Sequence, residues 1–299
     1  MVECKKAASI SADEFFSGYL NRGARSADLH FRKIRSDTTT AISLRRVVLR
    51  TRTSIVALTP DEFKVYYERF AELQTISDSR GFNHIAGFHG VPGEWCHQQF
   101  PYDTFLPWHR AYLYWLELHF LDGSAFETDF KTLALSYWDW TSQDSHREGI
   151  PSRFLLPDTY SLSKSRIKSI SGANASGPQD RDSVRNPLKP EELPSLADVL
   201  KYLNEPDFLA FSNKLETGAH NNVHGWIGGD MAQVAYAAYD PIFYAHHCMI
   251  DKIWHVWQNK HGNSTVPNSI LDTVLAPFPM TVRDTLDIKK LGYNYPNDL

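Results

Sequence analysis

Histidine is the residue type best suited to chemistry in this chain of 299 residues, because six of its 13 histidines form two separated clusters. The clusters lie before and after the aromatic segment at residues 137–140. The first contains His89, His97 and His109, and the second contains His220, His224 and one member of the adjacent pair His246 and His247. Two three-histidine sets can hold two metal ions side by side. Imidazole suits copper, zinc, iron and nickel, so the ligand type narrows the list of metals without closing it.

The spacing within the second cluster indicates a shared metal. His220 and His224 are four residues apart, so on a helix both side chains project from one face. His246 and His247 would point about 100° apart on a helix, so only one of them is expected to bind the same ion. The segment lacks the glutamate that an HExxH zinc protease uses as its general base, which argues against that class of hydrolase.

Hydrophobic periodicity predicts helices around both clusters. The first begins after Thr59, with Pro60 at the first helical position and Glu62 three residues after the cap, and should run to about Ile76. A stretch rich in Ser, Pro and Asn at 157–195 predicts a long loop between the clusters. Alternating β pattern is scarce, so a mainly α fold is expected. The other predicted helices follow Pro107, cover 196–203 and 208–215, and run from Pro241 to about Lys260 before Gly262.

Composition and charge argue against several classes of protein. The formal net charge is −4, so no broad basic surface indicates binding to nucleic acid or anionic lipid. No apolar run reaches the roughly 18 residues of a membrane span. The N-terminus lacks the continuous apolar core of a signal peptide, which predicts a cytoplasmic protein. Cys4, Cys96 and Cys248 form no CxxC pair, so a disulfide framework is not expected.

Several motifs resemble those of the type-3 copper family, which contains tyrosinases, catechol oxidases and molluscan haemocyanin units. They are Phe105–Tyr112 (FLPWHRAY), Tyr137–Trp140 (YWDW), His220–His224 with Gly228–Met231, and Asp240–Trp254. The resemblance implies a mainly α, tyrosinase-like domain, centred on a four-helix bundle with two copper ions between its helices and with long loops and little β structure. We expect this domain at 46–299, with residues 1–45 as an extension packed on it.

The same resemblance assigns the metal ligands. Only the family pattern selects His247 over His246, since helical periodicity alone does not separate them. The implied ligands are His89, His97 and His109 for copper A, and His220, His224 and His247 for copper B.

His97 departs from the usual family spacing. Eleven residues separate it from His109, where the family usually has eight, and residue 100 is Phe. His84 is therefore an alternative ligand of copper A. Some relatives join a Cys two residues before this His to its ring through a thioether. Cys96 is directly adjacent to His97, so an unreactive buried thiol is an equal alternative to a thioether.

Two further positions match residues that act on the substrate in tyrosinase-like relatives. There, a Glu in a Leu-Glu pair before the first copper-B His, and an Asn directly after that His, hold a water thought to deprotonate the phenol. Glu216 and Asn221 occupy these positions. A phenol with a pKa near 10 must lose its proton to bind copper well at neutral pH. The alternative is an ordinary helix-end Glu and a capping Asn.

Other residues are expected to support the site and close the domain. Tyr293 and Tyr295 resemble a Tyr-x-Tyr motif at the end of the catalytic domain, and Arg52 matches an Arg that pairs with it. The sequence stops there, so no C-terminal domain is expected to cover the coppers. A metal-bound imidazole keeps one N–H, on the nitrogen that does not bind the metal, and this N–H needs a hydrogen-bond acceptor. The residues assigned to this support and to the core are Trp138, Asp139, Trp140, Asp240 and Asp251.

The resemblance implies a copper-dependent tyrosinase, a polyphenol oxidase that uses O2 to hydroxylate monophenols ortho to the OH and to oxidise o-diphenols to o-quinones. The expected partners are a small phenol and O2, with no nucleic acid and no membrane. One alternative is a catechol oxidase without activity on monophenols. Another is a haemocyanin-like protein that binds O2 reversibly, because residues 85–90 (IAGFHG) also look like haemocyanin units. A zinc hydrolase or a metal-free helical protein is the third.

Overall fold

The computed structural model describes residues 49–96, 103–122, 130, 132–155, 160–170 and 177–296, and every structural statement below concerns these residues. Most of their regular structure is helical, which confirms the mainly α prediction. The α-helices are α1 (Pro60–Thr75), α2 (Phe82–His89), α3 (Phe105–Phe120), α4 (Gln143–Glu148), α5 (Leu196–Leu203), α6 (Phe208–Leu215), α7 (Asn221–Ile227), α8 (Pro241–His261) and α9 (Val282–Thr285).

Shorter elements connect these helices. A π-helical segment, Glu216–His220, joins α6 to α7. The strands are β1 (Arg50–Thr51), β2 (Arg166–Ile167), β3 (Arg181–Asp182) and β4 (Tyr293–Asn294); β1 pairs in parallel with β4, and β2 pairs antiparallel with β3. The 3-10 turns are Ile55–Ala57, Ser152–Phe154, Pro190–Glu192, Gly229–Ala232, Ala237–Tyr239, Asn263–Thr265 and Asn268–Ile270.

Helix α1 has the start that its sequence predicts. The hydroxyl of Thr59 accepts a hydrogen bond from the Glu62 backbone N–H at 3.3 Å, and the Glu62 carboxylate accepts from the Thr59 backbone N–H at 2.8 Å. This reciprocal capping box satisfies two backbone donors that the helix itself leaves without acceptors. The helix ends at Thr75, one residue before the predicted end. Its buried face is formed by Phe63, Tyr66, Phe70 and Leu73.

Helices α3 and α8 form the centre of the fold and pack against each other. Helix α3 is buried over nearly all of its surface, and α8 is buried from Pro241 to Trp254. Helix α3 begins two residues before Pro107, earlier than predicted, because a proline in the first turn has no N–H that needs an intrahelical acceptor. Gly262, with a φ of 81°, ends α8 as predicted. No helix in the described ranges has the length and hydropathy needed to cross a membrane.

The segment between the two histidine clusters is mostly loop, as predicted, and one arginine fixes it to the core. Arg185 donates to both carboxylate oxygens of Asp240, at 2.7 and 2.6 Å. Asp240 is also the N-cap of α8, and its side chain is fully buried. The loop is thereby held against the start of the helix that carries His246 and His247.

The two ends of the described chain meet beside the core, where β1 pairs with β4. The Arg52 guanidinium donates to the Tyr295 hydroxyl at 3.1 Å and lies 3.6 Å from the centre of the Tyr293 ring. The structure therefore contains the contact between Arg52 and the Tyr-x-Tyr motif that the family resemblance implies.

A buried ionic network continues from Arg52 into the central helices. Arg52 pairs with Glu117 of α3 at 2.8 Å and with Asp251 of α8 at 3.1 Å, while Arg110 of α3 pairs with the second oxygen of Asp251 at 2.5 Å. Burial alone would raise the pKa of Asp251, but Arg110 and Arg52 together hold it below its ordinary value. The four charges balance, and they hold α3 and α8 together.

Candidate metal centre

The helices of the core carry the predicted ligands to one place. His97 lies outside the described residues, next to Cys96. The other predicted ligands are His89 at the end of α2, His109 in α3, His220 at the end of the π-helical segment, His224 in α7 and His247 in α8.

Two groups of ligand atoms form where these elements meet. One atom from each of His220, His224, His246 and His247 lies within 4.8 Å of the others, and the same holds for His89, Cys96 and His109. The groups adjoin each other, because the rings of His109 and His247 are stacked with their centroids 4.4 Å apart. His84 joins neither group. Its ring stands against Phe88 on the same helix, at a centroid distance of 5.4 Å.

Hydrogen bonds orient four of the rings in the same way. Nδ1 of His109 lies 2.8 Å from the Phe105 carbonyl oxygen, and Nδ1 of His224 lies 2.7 Å from the Met231 carbonyl oxygen. Nδ1 of His89 lies 3.3 Å from the Val234 carbonyl, and Nδ1 of His220 lies 3.0 Å from Oδ1 of Asn221. A carbonyl oxygen can only accept, so each Nδ1 carries the proton. Each Nε2 therefore presents a lone pair.

These lone pairs give the site the character of a metal-binding centre. Nε2 of His224 lies 3.2 Å from Nε2 of His247, and the buried Nε2 of His220 has no hydrogen-bond partner. The lone pair of His224 Nε2 therefore faces the His247 ring, and it is satisfied either by an N–H of His247 or by a cation between the two nitrogens. Two nitrogens bound to one metal at about 2.0–2.1 Å stand about 3.2 Å apart at an angle of about 100°. The spacing of these two nitrogens fits a shared ion, and the all-imidazole donor set suits copper.

Burial favours the neutral form of four of the predicted ligand histidines. It lowers the pKa of His109 to about 3 and that of His224 to about 4, and it lowers the pKa of His220 and His247 well below the ordinary value. A metal binds only the neutral ring, so protons do not compete with it near neutral pH. The same burial makes an unpaired imidazole nitrogen costly, which favours a bound ion.

The structure distinguishes His246 from His247 by what each ring faces. His246 is fully buried, both of its ring nitrogens lack a hydrogen-bond partner, and it stacks on His220 at 5.4 Å. The ring of His247 lies between the two groups, stacked on His109, with Nε2 directed at His224. Its position between the groups favours His247 as the ligand, although a ring nitrogen of His246 also lies within 4.8 Å of the other ligand atoms.

Glu216 and Asn221 flank His220. The Asn221 side chain accepts the Nδ1 proton of His220, so it orients a predicted ligand directly. Burial, with a smaller contribution from Asp103, raises the pKa of Glu216. Backbone between the two residues is kinked at Gly218, where a Cβ would lie 2.4 Å from the hydroxyl of Tyr202.

Backbone carbonyls perform part of the support that the sequence assigned to carboxylates. The Nδ1–H groups of His89, His109 and His224 donate to main-chain oxygens, whereas Asp240 and Asp251 pair with arginines. No sequence pattern marks a carbonyl acceptor. One indirect signal is Gly90, where a Cβ would lie 2.2 Å from the Ala235 carbonyl oxygen, so only glycine allows the segment carrying Val234 to approach His89.

The other residue that the ligand assignment left out is Cys96. Its thiol belongs to the same ligand group as His89 and His109. The signal in the sequence is its position directly before His97, for which a thioether and an unreactive buried thiol are the two alternatives.

The sequence matches the family model described as the common central domain of tyrosinase, over residues 79–195 and 158–260. The two matches together span more than half of the chain. The chain belongs to the tyrosinase family of type-3 copper proteins. Among its relatives, the G-type haemocyanin (units Oda to Odg) of Enteroctopus dofleini is 29% identical over 280 residues, which cover 84% of this chain but 9% of the haemocyanin. The tyrosinase of Streptomyces lincolnensis is 32% identical over 180 residues, which cover 53% of this chain and 63% of that enzyme.

The fold agrees with that membership. A functional unit of octopus haemocyanin superimposes with a TM-score of 0.68 and 26% sequence identity, covering 83% of this tyrosinase-family chain and 68% of the unit. The chain thus spans a small part of the multi-unit haemocyanins and less than two thirds of the Streptomyces tyrosinase. Relatives of both kinds, enzymes and haemocyanins, are similar to it.

Proposed function

We propose that this protein is a copper-dependent tyrosinase, which uses O2 to hydroxylate monophenols at the ortho position and to oxidise o-diphenols to o-quinones. The observation that carries the proposal is the pair of adjoining groups of ligand atoms, one formed by four histidines and the other by His89, Cys96 and His109. Two copper ions bound there would supply the redox chemistry with O2. The proposed ligands are His89, His97 and His109 at copper A, and His220, His224 and His247 at copper B.

Glu216 is the proposed acceptor of the phenol proton. A phenol has a pKa near 10, so at neutral pH it needs a base to become a phenolate. Burial raises the pKa of Glu216, which makes its carboxylate a stronger base than an exposed one. Asn221 is exposed beside it, and its amide is fixed by the hydrogen bond from His220. Proton transfer would therefore take place at the rim of the copper-B side.

Two exposed positions next to predicted ligands leave room for an aromatic ring. Gly225 directly follows His224 and is exposed, and a Cβ built on it would meet no atom within 4 Å. Val234 is also exposed, with 40% of its surface accessible to solvent. Its backbone carbonyl accepts a hydrogen bond from His89.

Oxygen uptake tests the proposal. Copper-loaded protein is expected to consume O2 with a monophenol and with a catechol, and to form quinone in both cases. Uptake with catechol alone would make the protein a catechol oxidase, and uptake with neither would refute the enzyme assignment. His109→Ala serves as the control variant, because it removes a proposed copper-A ligand.

The similarity to octopus haemocyanin supports a second candidate function, reversible O2 binding. A carrier would show a spectrum that changes on oxygenation and returns on removal of O2, without consuming phenol. Turnover of catechol under the same conditions would exclude this function as the main one.

A further inference from the structure

We infer that Cys96 is itself a copper ligand, whose sulfur binds the metal held by His89 and His109. Ligation by Cys96 presupposes the copper centre proposed above and concerns the donor set of copper A. The family resemblance assigns only histidines to that copper. A thiolate donor would make this site chemically different from the all-imidazole copper-B side.

The distance between the donors fits a shared ion. Sγ of Cys96 lies 3.8 Å from Nε2 of His109, and both belong to the group whose ligand atoms lie within 4.8 Å of one another. A metal with bonds of about 2.0–2.1 Å to nitrogen and about 2.3 Å to a thiolate separates these atoms by about 3.8 Å at a trigonal angle. Copper sites that combine histidine nitrogens with a cysteine sulfur are established in proteins.

The orientation of the His109 ring also fits a metal ion shared with Cys96. The Nδ1 proton of His109 is donated to the Phe105 carbonyl, so the nitrogen facing the sulfur carries a lone pair. Both groups thus present donor electrons toward the same point. The competing interpretation is a weak S–H···N hydrogen bond between the thiol and the imidazole.

Backbone hydrogen bonds hold the segment before Cys96 against the first cluster. The N–H of Gly93 donates to the Gly87 carbonyl at 2.9 Å, and the N–H of Glu94 donates to the Gly90 carbonyl at 2.6 Å. The N–H of Val91 donates to the Ala235 carbonyl at 3.2 Å. The segment is therefore anchored to α2, the helix that ends at His89.

The thiolate, not the thiol, is the form of cysteine that binds a metal. Metal binding would break the S–H bond, release the proton to solvent and form the metal–sulfur bond. No electron is transferred in this step, so no oxidant is needed.

X-ray absorption of the full-length protein loaded with two copper(I) ions per chain tests the assignment. The wild-type spectrum is expected to contain a sulfur neighbour at about 2.3 Å from copper, the length of a metal–thiolate bond. Cys96→Ser should lose that neighbour, because a hydroxyl is a poor ligand for copper(I). Cys4→Ser is the matched control and should retain it.

Two results would overturn the inference. The first is a wild-type spectrum without sulfur, or one in which sulfur persists in Cys96→Ser and so comes from another residue such as Met231. The second is a Cys96–His97 peptide that lacks two hydrogens in mass spectrometry after unfolding and metal removal, which would indicate a thioether. Neither result would contradict the proposed oxidation of phenols. Conversely, a sulfur neighbour without phenol turnover would support Cys96 ligation and refute the enzyme assignment.

Discussion

Replacing Asp251 by Asn tests whether the buried ionic network stabilises the arrangement of α3 and α8. One oxygen of Asp251 accepts from Arg52 at 3.1 Å, from Tyr293 at 2.8 Å and from Tyr295 at 2.7 Å, and the other accepts from Arg110 at 2.5 Å. An asparagine has nearly the same shape but only one oxygen. If that oxygen keeps the first three contacts, its NH2 group faces the N–H of Arg110, donor against donor.

The magnitude follows from the charges that remain. Arg52 and Arg110 are fully buried and are balanced by Glu117 and Asp251, so the substitution leaves one excess positive charge in the interior. Removing one partner of a buried pair costs about 3–5 kcal/mol. Hydrogen bonds to charged groups are worth about 1.5–3 kcal/mol each, so the loss of one such bond fits within this range. We therefore expect a loss of about 3–5 kcal/mol in the free energy of unfolding, a large part of the usual stability of a domain.

Urea unfolding of the metal-free protein, followed by circular dichroism, measures this loss. Asp144→Asn is the matched control, because Asp144 pairs with Arg147 on the surface, where both side chains are more than half exposed. Its effect should stay below about 1 kcal/mol. If Asp251→Asn changes the free energy by no more than this control, the network does not stabilise the fold in the way described.

Three further predictions concern the metal centre. Glu216→Gln should lower the rate of monophenol hydroxylation by about 100- to 10,000-fold and slow catechol oxidation less, measured by quinone formation; equal losses would contradict its role as base. His247→Ala should lose one copper per chain in metal analysis, whereas His246→Ala should keep both; the reverse would exchange their roles. In the folded chain, burial lowers the pKa of His109 to about 3 and that of His224 to about 4. In the unfolded chain both histidines have a pKa of about 6.5, so between pH 4 and pH 6.5 the unfolded chain binds more protons than the folded one. The stability of the metal-free protein should therefore fall as the pH is lowered from about 6.5 to about 4, by about 1.4 kcal/mol per pH unit for each such histidine; unfolding that does not depend on pH would contradict this.

Much of the fold could be predicted because local patterns determine it. The capping box at Thr59 and the positive φ of Gly262 mark helix ends through bonds and sterics within a few residues. The sequence predicts that α3 starts after Pro107, whereas the helix begins two residues earlier. A proline is tolerated within the first turn of a helix, so its position does not mark the first helical residue. The short helix α4 (Gln143–Glu148) was missed, since six residues give too little periodicity to recognise.

The sequence by itself determined the histidine spacing, the helices that carry it and the family resemblance, because these depend on residue type and on neighbours a few positions apart. Only the tertiary structure decided which atoms meet. It turned His247 toward the other cluster, placed the carbonyls of Phe105, Met231 and Val234 on the Nδ1 atoms, and brought the Cys96 sulfur to His109. The physical reason is that carbonyl acceptors and ring orientations depend on how distant segments pack, and residue identity does not encode that packing locally.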